Sequence, residues 1–347
     1  MHPTPPILSR LGRALAACAF AVACGVHAAP STQLALSGAI DRPAVYDLAA
    51  LEALPSITQL VTYQSGSGGQ THRYVGTSLW GLLDSAGIQT DSSVSNDHLN
   101  RIVVARATDN YRSVYALGEI DPRFGNRQAL VAYAEVIAGS NVPLGDDGFA
   151  RSTAPGDVKG GRYVSNLTDV QLQRTASTAT GIGGGTSSSF SVSGDVLQAA
   201  TFDLAGLKAL PSVTHTVGDQ TFTGVSFWSL LSEVGIATDS AVKNDILGMY
   251  VVATGSDGYK AAFSMGELNP SFGNQPDLIA YALDGEDLTD SGFARIIVPE
   301  DDRRGRWVSN LVSLEVFHAA AIPEPQTYAL FGLGLLAVAW RARRRIR

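Results

Sequence analysis

Tyr74-Val-Gly-Thr-Ser-Leu-Trp-Gly-Leu-Leu83 and Phe222-Thr-Gly-Val-Ser-Phe-Trp-Ser-Leu-Leu231 are one segment written twice. In each, Ser78 or Ser226 stands where a side-chain oxygen can cap a helix. The following Leu79, Trp80, Leu82 and Leu83, or Phe227, Trp228, Leu230 and Leu231, form an apolar helix face, and Gly87 or Gly235 sits where a glycine ends it. Outward from this segment the duplication continues on both sides. Asp47-Leu-Ala-Ala-Leu-Glu-Ala-Leu-Pro55 recurs as Asp203-Leu-Ala-Gly-Leu-Lys-Ala-Leu-Pro211, a short helix with an Asp cap that proline forbids from continuing. Asp121-Pro-Arg-Phe-Gly-Asn126 returns as Asn269-Pro-Ser-Phe-Gly-Asn274, Gly148–Arg151 as Gly292–Arg295, and Tyr163–Leu167 as Trp307–Leu311. The offset between copies drifts from 156 through 148 to 144, which confines length differences to loops. Two copies of about 140 residues make a tandem domain duplication, not a solenoid.

Within each copy, Ile102-Val-Val-Ala105 and Tyr250-Val-Val-Ala253 read as strands. Asp109-Asn110 and Asp257-Gly258 are tight-turn dipeptides leading into Ser113-Val-Tyr115 and Ala261-Ala-Phe263. Further strands are expected at 129–133, 278–281, 295–298 and 308–316. Short helices scattered among hairpins without a βαβ rhythm predict two tandem α+β, β-rich domains. Their expected limits are 30–175 and 190–321, joined by a flexible Gly/Ser/Thr linker at 176–189.

The 347 residues carry a net charge of −7, unevenly placed. Residues 30–321 hold 18 basic against 31 acidic residues, a net of −13. A body so acidic is a poor partner for nucleic acid. Both cysteines, Cys18 and Cys24, fall in the first 30 residues, so the repeats have no disulfide, no CxxC centre, no cysteine-ligated metal and no cysteine nucleophile. Histidines His72, His98, His215 and His318 have no HxH or HxxxH spacing, and no metal site is expected. No GxSxG, Walker A or dinucleotide-binding signature occurs, and no catalytic residue is singled out.

The ends read as addresses. Arg10 and Arg13, the apolar run 14–26 and the small residues around Ala28 give residues 1–29 the form of a secretory signal peptide. At the other end, 322–347 holds Pro323-Glu324-Pro325, an apolar stretch at 328–340 and an arginine tail. Thirteen residues span only about 20 Å as a helix, marginal for a hydrocarbon core near 30 Å. Pro-Glu-Pro, short apolar helix and arginine tail in that order resemble the PEP-CTERM sorting signal. The resemblance implies recognition by an exosortase and a transient stay in the inner membrane through 328–340. It also implies release or attachment at the outer surface or extracellular matrix of a Gram-negative bacterium, usually an exopolysaccharide producer.

The body has a second resemblance. The segments 224–231, Val251–Tyr259, Phe263–Leu268, Gly292–Pro299 and Arg303–Leu311, in this order and again in the first copy, resemble the small molybdopterin-dependent oxidoreductase-like domains related to the molybdenum-cofactor domain of sulfite oxidase. The family implies a pyranopterin-shaped pocket and, in its enzymes, a cysteine thiolate on molybdenum. Neither repeat has a cysteine to supply that ligand, so the expectation is a non-catalytic binding protein without cofactor. The alternative is an oxidoreductase that retains molybdopterin through arginine and backbone contacts.

Arg151, Lys159 and Arg162, with their counterparts Arg295, Arg303 and Arg306, are the candidate anion-binding residues, because basic side chains beside glycine-rich turns can hold phosphate or carboxylate. The ligand expected there is a small anion, a pterin-like group or an exopolysaccharide component. A second reading pairs the same cations with Asp146, Asp147, Asp157, Asp301 and Asp302. Glu119 and Glu267 read as charges in the first turn of a helix.

Overall fold

The computed structural model describes residues 30–322; the signal-peptide reading and the 328–340 apolar stretch lie outside the described residues. Each repeat builds the same pair of five-stranded sheets. In unit 1 the first sheet runs Ala44–Tyr46, Leu34–Gly38, Leu167–Arg174, Arg101–Ala107, Arg112–Ala116, and unit 2 repeats the order with Ala200–Phe202, Phe190–Gly194, Leu311–His318, Met249–Gly255 and Lys260–Ser264. The opening and closing strands of a unit pair in parallel, and the remaining pairs are antiparallel. The second sheet of unit 1 runs Ser56–Ser65, Gly68–Ser78, Leu130–Ile137, Ser140–Pro143, with Arg151–Ser152 also on the third strand. Its unit 2 equivalent is Ser212–Val217, Gln220–Ser226, Leu278–Leu283, Glu286–Asp287, with Arg295–Ile297. The β-rich mixed fold expected from the repeats is present in both units.

The caps form as the sequence dictates. Asp47 and Asp203 accept from the amides of Ala50 and Gly206, and Ser78 and Ser226 from those of Gly81 and Ser229. Gly76 and Gly224 sit at a bulge on the strand leading to the second helix. A Cβ there would lie 2.3 Å from the Val131 carbonyl or 2.2 Å from that of Ile279, so only glycine fits.

Each unit fills its core from both of its sheets. The strands Arg101–Ala107 and Met249–Gly255 are buried along their whole length. Alternation explains it: Val103 and Ala105 point into unit 1's core, whereas Ile102 and Val104 point the other way, against Tyr250, Val252 and Ala262 of unit 2. A continuous apolar run therefore marks a strand covered on both faces, one of them by the sister unit.

The contacts between units are reciprocal, as in a two-fold dimer fused into one chain. Asn96 Nδ2 donates to Tyr259 Oη at 3.1 Å and Asn244 Nδ2 to Tyr111 Oη at 2.9 Å. Val158 N–H donates to Phe272 O, and Asp302 N–H to Phe124 O. Arg306 Cδ lies 2.7 Å from where a Gly118 Cβ would be, and Arg162 Cδ 2.5 Å from that of Gly266. Residues 176–189 carry no helix or strand, yet Ile182 and Gly184 donate to Ser256 O at 2.8 Å and Ser256 Oγ donates to Gly185 O at 2.6 Å. The stretch whose composition predicts a flexible linker is hydrogen-bonded along unit 2.

Candidate functional site

The six predicted cations divide into three kinds. Arg162 and Arg306, each at the end of a one-turn 3-10 helix, are buried in matching carboxylate clamps. Arg162 donates to both oxygens of Asp157 at 2.6 and 2.8 Å and to Glu119; Arg306 does so to Asp301 at 2.5 and 2.8 Å and to Glu267 at 2.8 Å. Each of the three guanidinium nitrogens has a carboxylate partner and both side chains are buried, so these two fasten the fold rather than face a ligand. Arg151 is held by Asp147 and by Tyr74 Oη at 2.9 Å. Its guanidinium carbon lies 5.0 Å from the Tyr74 ring centre. Lys159 is exposed and, among the described residues, its side chain reaches only Ser271 Oγ, at 3.4 Å. Arg295 is half-buried over the Trp307 ring and makes no ion pair or hydrogen bond among the described residues; Arg303 is exposed.

Arg151 and Lys159 line one cleft of about 1380 Å³. Its walls come from both units. Unit 1 supplies Tyr63, Tyr111 and Tyr163, and unit 2 supplies Lys243, Asn244, Asn269, Ser271 and Phe272. The first hairpin is longer in unit 1, Ser56–Ser65 with Gly68–Ser78, than in unit 2, Ser212–Val217 with Gln220–Ser226. The extra length carries Tyr63 onto Tyr163, with ring centres 4.2 Å apart. Tyr163 Oη has no hydrogen-bond partner among the described residues, and burial pushes its ionisation far up, so it stays a neutral group. Lys243, which sequence reasoning missed, forms no ion pair among the described residues and lines the same cleft as Lys159. The available signal was that unit 1 has Ser95 at the matching position.

Between the units lies a buried carboxylate group with fewer cations than anions. Ser264 of unit 2 donates to Glu119 of unit 1 at 3.1 Å and caps its own helix through a reciprocal box with Glu267. Burial raises Glu267 to about 7 against the pull of Arg306. Burial likewise raises Asp277, whose two carboxyl oxygens have no partner among the described residues; unit 1 has Ala129 there. Among the described residues no group of three or more His, Cys, Asp or Glu is placed to hold a metal ion. A thiolate-held molybdenum does not fit these residues, since none is cysteine and Arg162 and Arg306 are already neutralised.

Residues 321–345 match the PEP-CTERM protein-sorting motif. That motif marks a protein exported to the cell envelope or surface and processed by exosortase. No helix among the described residues is long and apolar enough to cross a membrane. No curated protein matches the chain. Among solved structures, the sulfane dehydrogenase SoxCD from Paracoccus pantotrophus is similar over 84% of this chain and 78% of its own, with 12% identity and a TM-score of 0.34.

Proposed function

We propose that this exosortase-sorted protein is a non-catalytic binding protein of the cell surface or matrix, and that the inter-unit cleft holds an anionic ligand. The observation that carries the reading is that Lys159 and Lys243, neither ion-paired among the described residues, line one cleft with tyrosines and amides, a cleft that Asp109 and Asp146 also border. Two cations, a tilted, closely packed Tyr63–Tyr163 pair and side chains of Asn166, Asn244 and Asn269 suit a ligand with negative charges, flat apolar faces and many hydroxyls. An acidic exopolysaccharide segment has all three. Arg151 lines the cleft but acts mainly to hold Tyr74 and Asp147 in place.

The test is calorimetric titration of the purified full chain with a galacturonate oligomer, with maltotriose as the uncharged control. Saturable binding of the acidic oligomer is expected, weakened about tenfold or more by Lys159→Ala with Lys243→Ala, consistent with about 1.4 kcal/mol for losing two charge-assisted contacts. Equal binding of both sugars, or no effect of the double substitution, overturns the cleft. Stoichiometric molybdenum or a pterin in protein isolated from its producer overturns the non-catalytic reading in favour of the oxidoreductase alternative.

A further inference from the structure

Because the chain contains the same unit twice, one copy shows what the other lacks. In unit 1 the Asp147 carboxylate is gripped from two sides: Arg151 Nη1 donates to Oδ2, and Ser165 Oγ donates to Oδ1 at 2.6 Å. The same guanidinium nitrogen also donates to Tyr74 Oη. In unit 2 both grips remain, as Arg295 and Ser309, but the gripped group is gone. Ser291 stands in place of Asp147 and Phe222 in place of Tyr74.

The consequences are visible at each of these residues. Arg295 forms no ion pair and no hydrogen bond among the described residues, and its buried Nε has no partner. A second cation is added rather than an anion. Arg304 lies 4.5 Å from the Trp307 ring centre that also carries Arg295 at 5.6 Å, where unit 1 has an uncharged Gly160. Arg304 is steadied by Gln220 Oε1 at 3.0 Å. Asp290, next to Ser291, is exposed and pairs with neither arginine, just as its counterpart Asp146 does not pair with Arg151. Two guanidinium groups over one indole repel each other, and an oxyanion between them removes that repulsion.

We propose that unit 2 carries a carboxylate-binding site at Arg295, Arg304 and Ser309, in the place that unit 1 fills with its own Asp147. The ligand is a carboxylate presented by another molecule, seated over Trp307 with the geometry that the Asp147 side chain shows in the sister unit. This site is separate from the cleft at Lys159 and Lys243 and does not depend on it.

The experiment follows from the swap. Glucuronate is titrated into the purified full chain carrying Lys159→Ala and Lys243→Ala, so that the cleft contributes nothing, with glucose as the neutral control. Saturable glucuronate binding is expected to survive in this background and to weaken at least tenfold on adding Arg295→Gln. Adding Ser291→Asp instead, which restores the internal carboxylate, is expected to abolish binding and to raise Tm, because Arg295 gains a partner. Binding that persists unchanged with Arg295→Gln overturns the site, as does a Ser291→Asp chain that binds normally and melts no higher. Absence of any glucuronate binding in the parent background also overturns it. Arg295→Gln and Ser291→Asp leave the cleft at Lys159 and Lys243 intact in the otherwise native chain. Galacturonate binding there therefore tests the cleft reading independently.

Discussion

The two units share a buried arginine clamp but differ in the arginine beside it. Arg162 and Arg306 occupy matching places, chelate matching aspartates and reach matching glutamates. Arg151 and Arg295 also occupy matching places, yet one has Asp147 and Tyr74 and the other has neither. The difference teaches which charges serve the fold. Where both copies keep cation and carboxylates together, the burial is too deep for either to change alone. Where one copy lacks the carboxylate, the arginine stands half-buried over an aromatic ring with no ion pair among the described residues.

The largest effect should come from the shared clamp. Arg162→Met and Arg306→Met each leave two buried carboxylates without their cation, and each should cost about 3–5 kcal/mol in urea unfolding. Similar losses from the two variants in one cooperative transition would show that the fused pair unfolds as a body. A mild effect from one of them would break the equivalence of the clamps.

A smaller effect tests where the clamps diverge. Asp277 is buried with both oxygens unpartnered among the described residues, and unit 1 has Ala129 at that position. Asp277→Ala should stabilise the protein by about 1–3 kcal/mol near pH 8, the range for removing an unsatisfied buried polar group. The pH dependence has a definite sign. An acid whose folded pKa is raised binds its proton on folding, so its stability contribution is complete below the unfolded value and is lost as pH rises through the folded one. Glu267 rises from 4.5 to about 7, and Asp277 shifts in the same direction from 3.8. Stability should therefore decline as pH increases from about 4.5 toward 7, and Asp277→Ala should flatten that decline in pH-resolved urea melts. An Asp277→Ala chain with unchanged stability at pH 8 would mean that the buried carboxylate is satisfied.

The smallest effect concerns the closing strand. In unit 1, Asp97 is held by two guanidinium groups, those of Arg101 and Arg174. In unit 2, Met249 replaces the first and His318 the second. His318 lies between Asp195 at 2.7 Å and Asp245 at 2.9 Å. Burial opposes its charge, but the hydrogen bonds to Asp245 and Asp195 outweigh it and raise its pKa above 6.5. A histidine so raised contributes fully below 6.5 and loses the contribution as pH climbs through its folded value. The Ala319 amide, which donates to Gly248 O, should lose about 0.5–1 kcal/mol of exchange protection across that rise, given the partial exposure of the pair. His318→Arg, the unit 1 residue, should abolish the pH dependence; protection that is flat with pH in the native chain would refute the histidine's part.

Much of the local structure was legible because it depends on neighbours in the chain. Ser78 and Ser226 cap helices within three residues of themselves, and Asp109 and Asp257 turn the chain within two. The repeat itself was legible, and so was the sorting signal at the end. The hairpin of Ser56–Ser65 was not. Its residues are mostly polar and exposed, so no apolar period announced the strand that builds the cleft. Glu119 and Glu267 read correctly as first-turn charges, but their arginines lie 43 and 39 residues away, and nothing in the sequence pairs them.

Sequence alone thus determined the duplication, the α+β character, the acidic cysteine-free body and the six cations in matching places. Each follows from composition or from interactions a few residues long. Only the tertiary structure decided that Arg162 and Arg306 are closed to ligands, that Lys243 joins Lys159, and that Arg295 stands without the carboxylate its sister holds. An arginine's availability depends on which carboxylate the folded chain brings within 3 Å of it, and that distance is set by the packing of two units against each other.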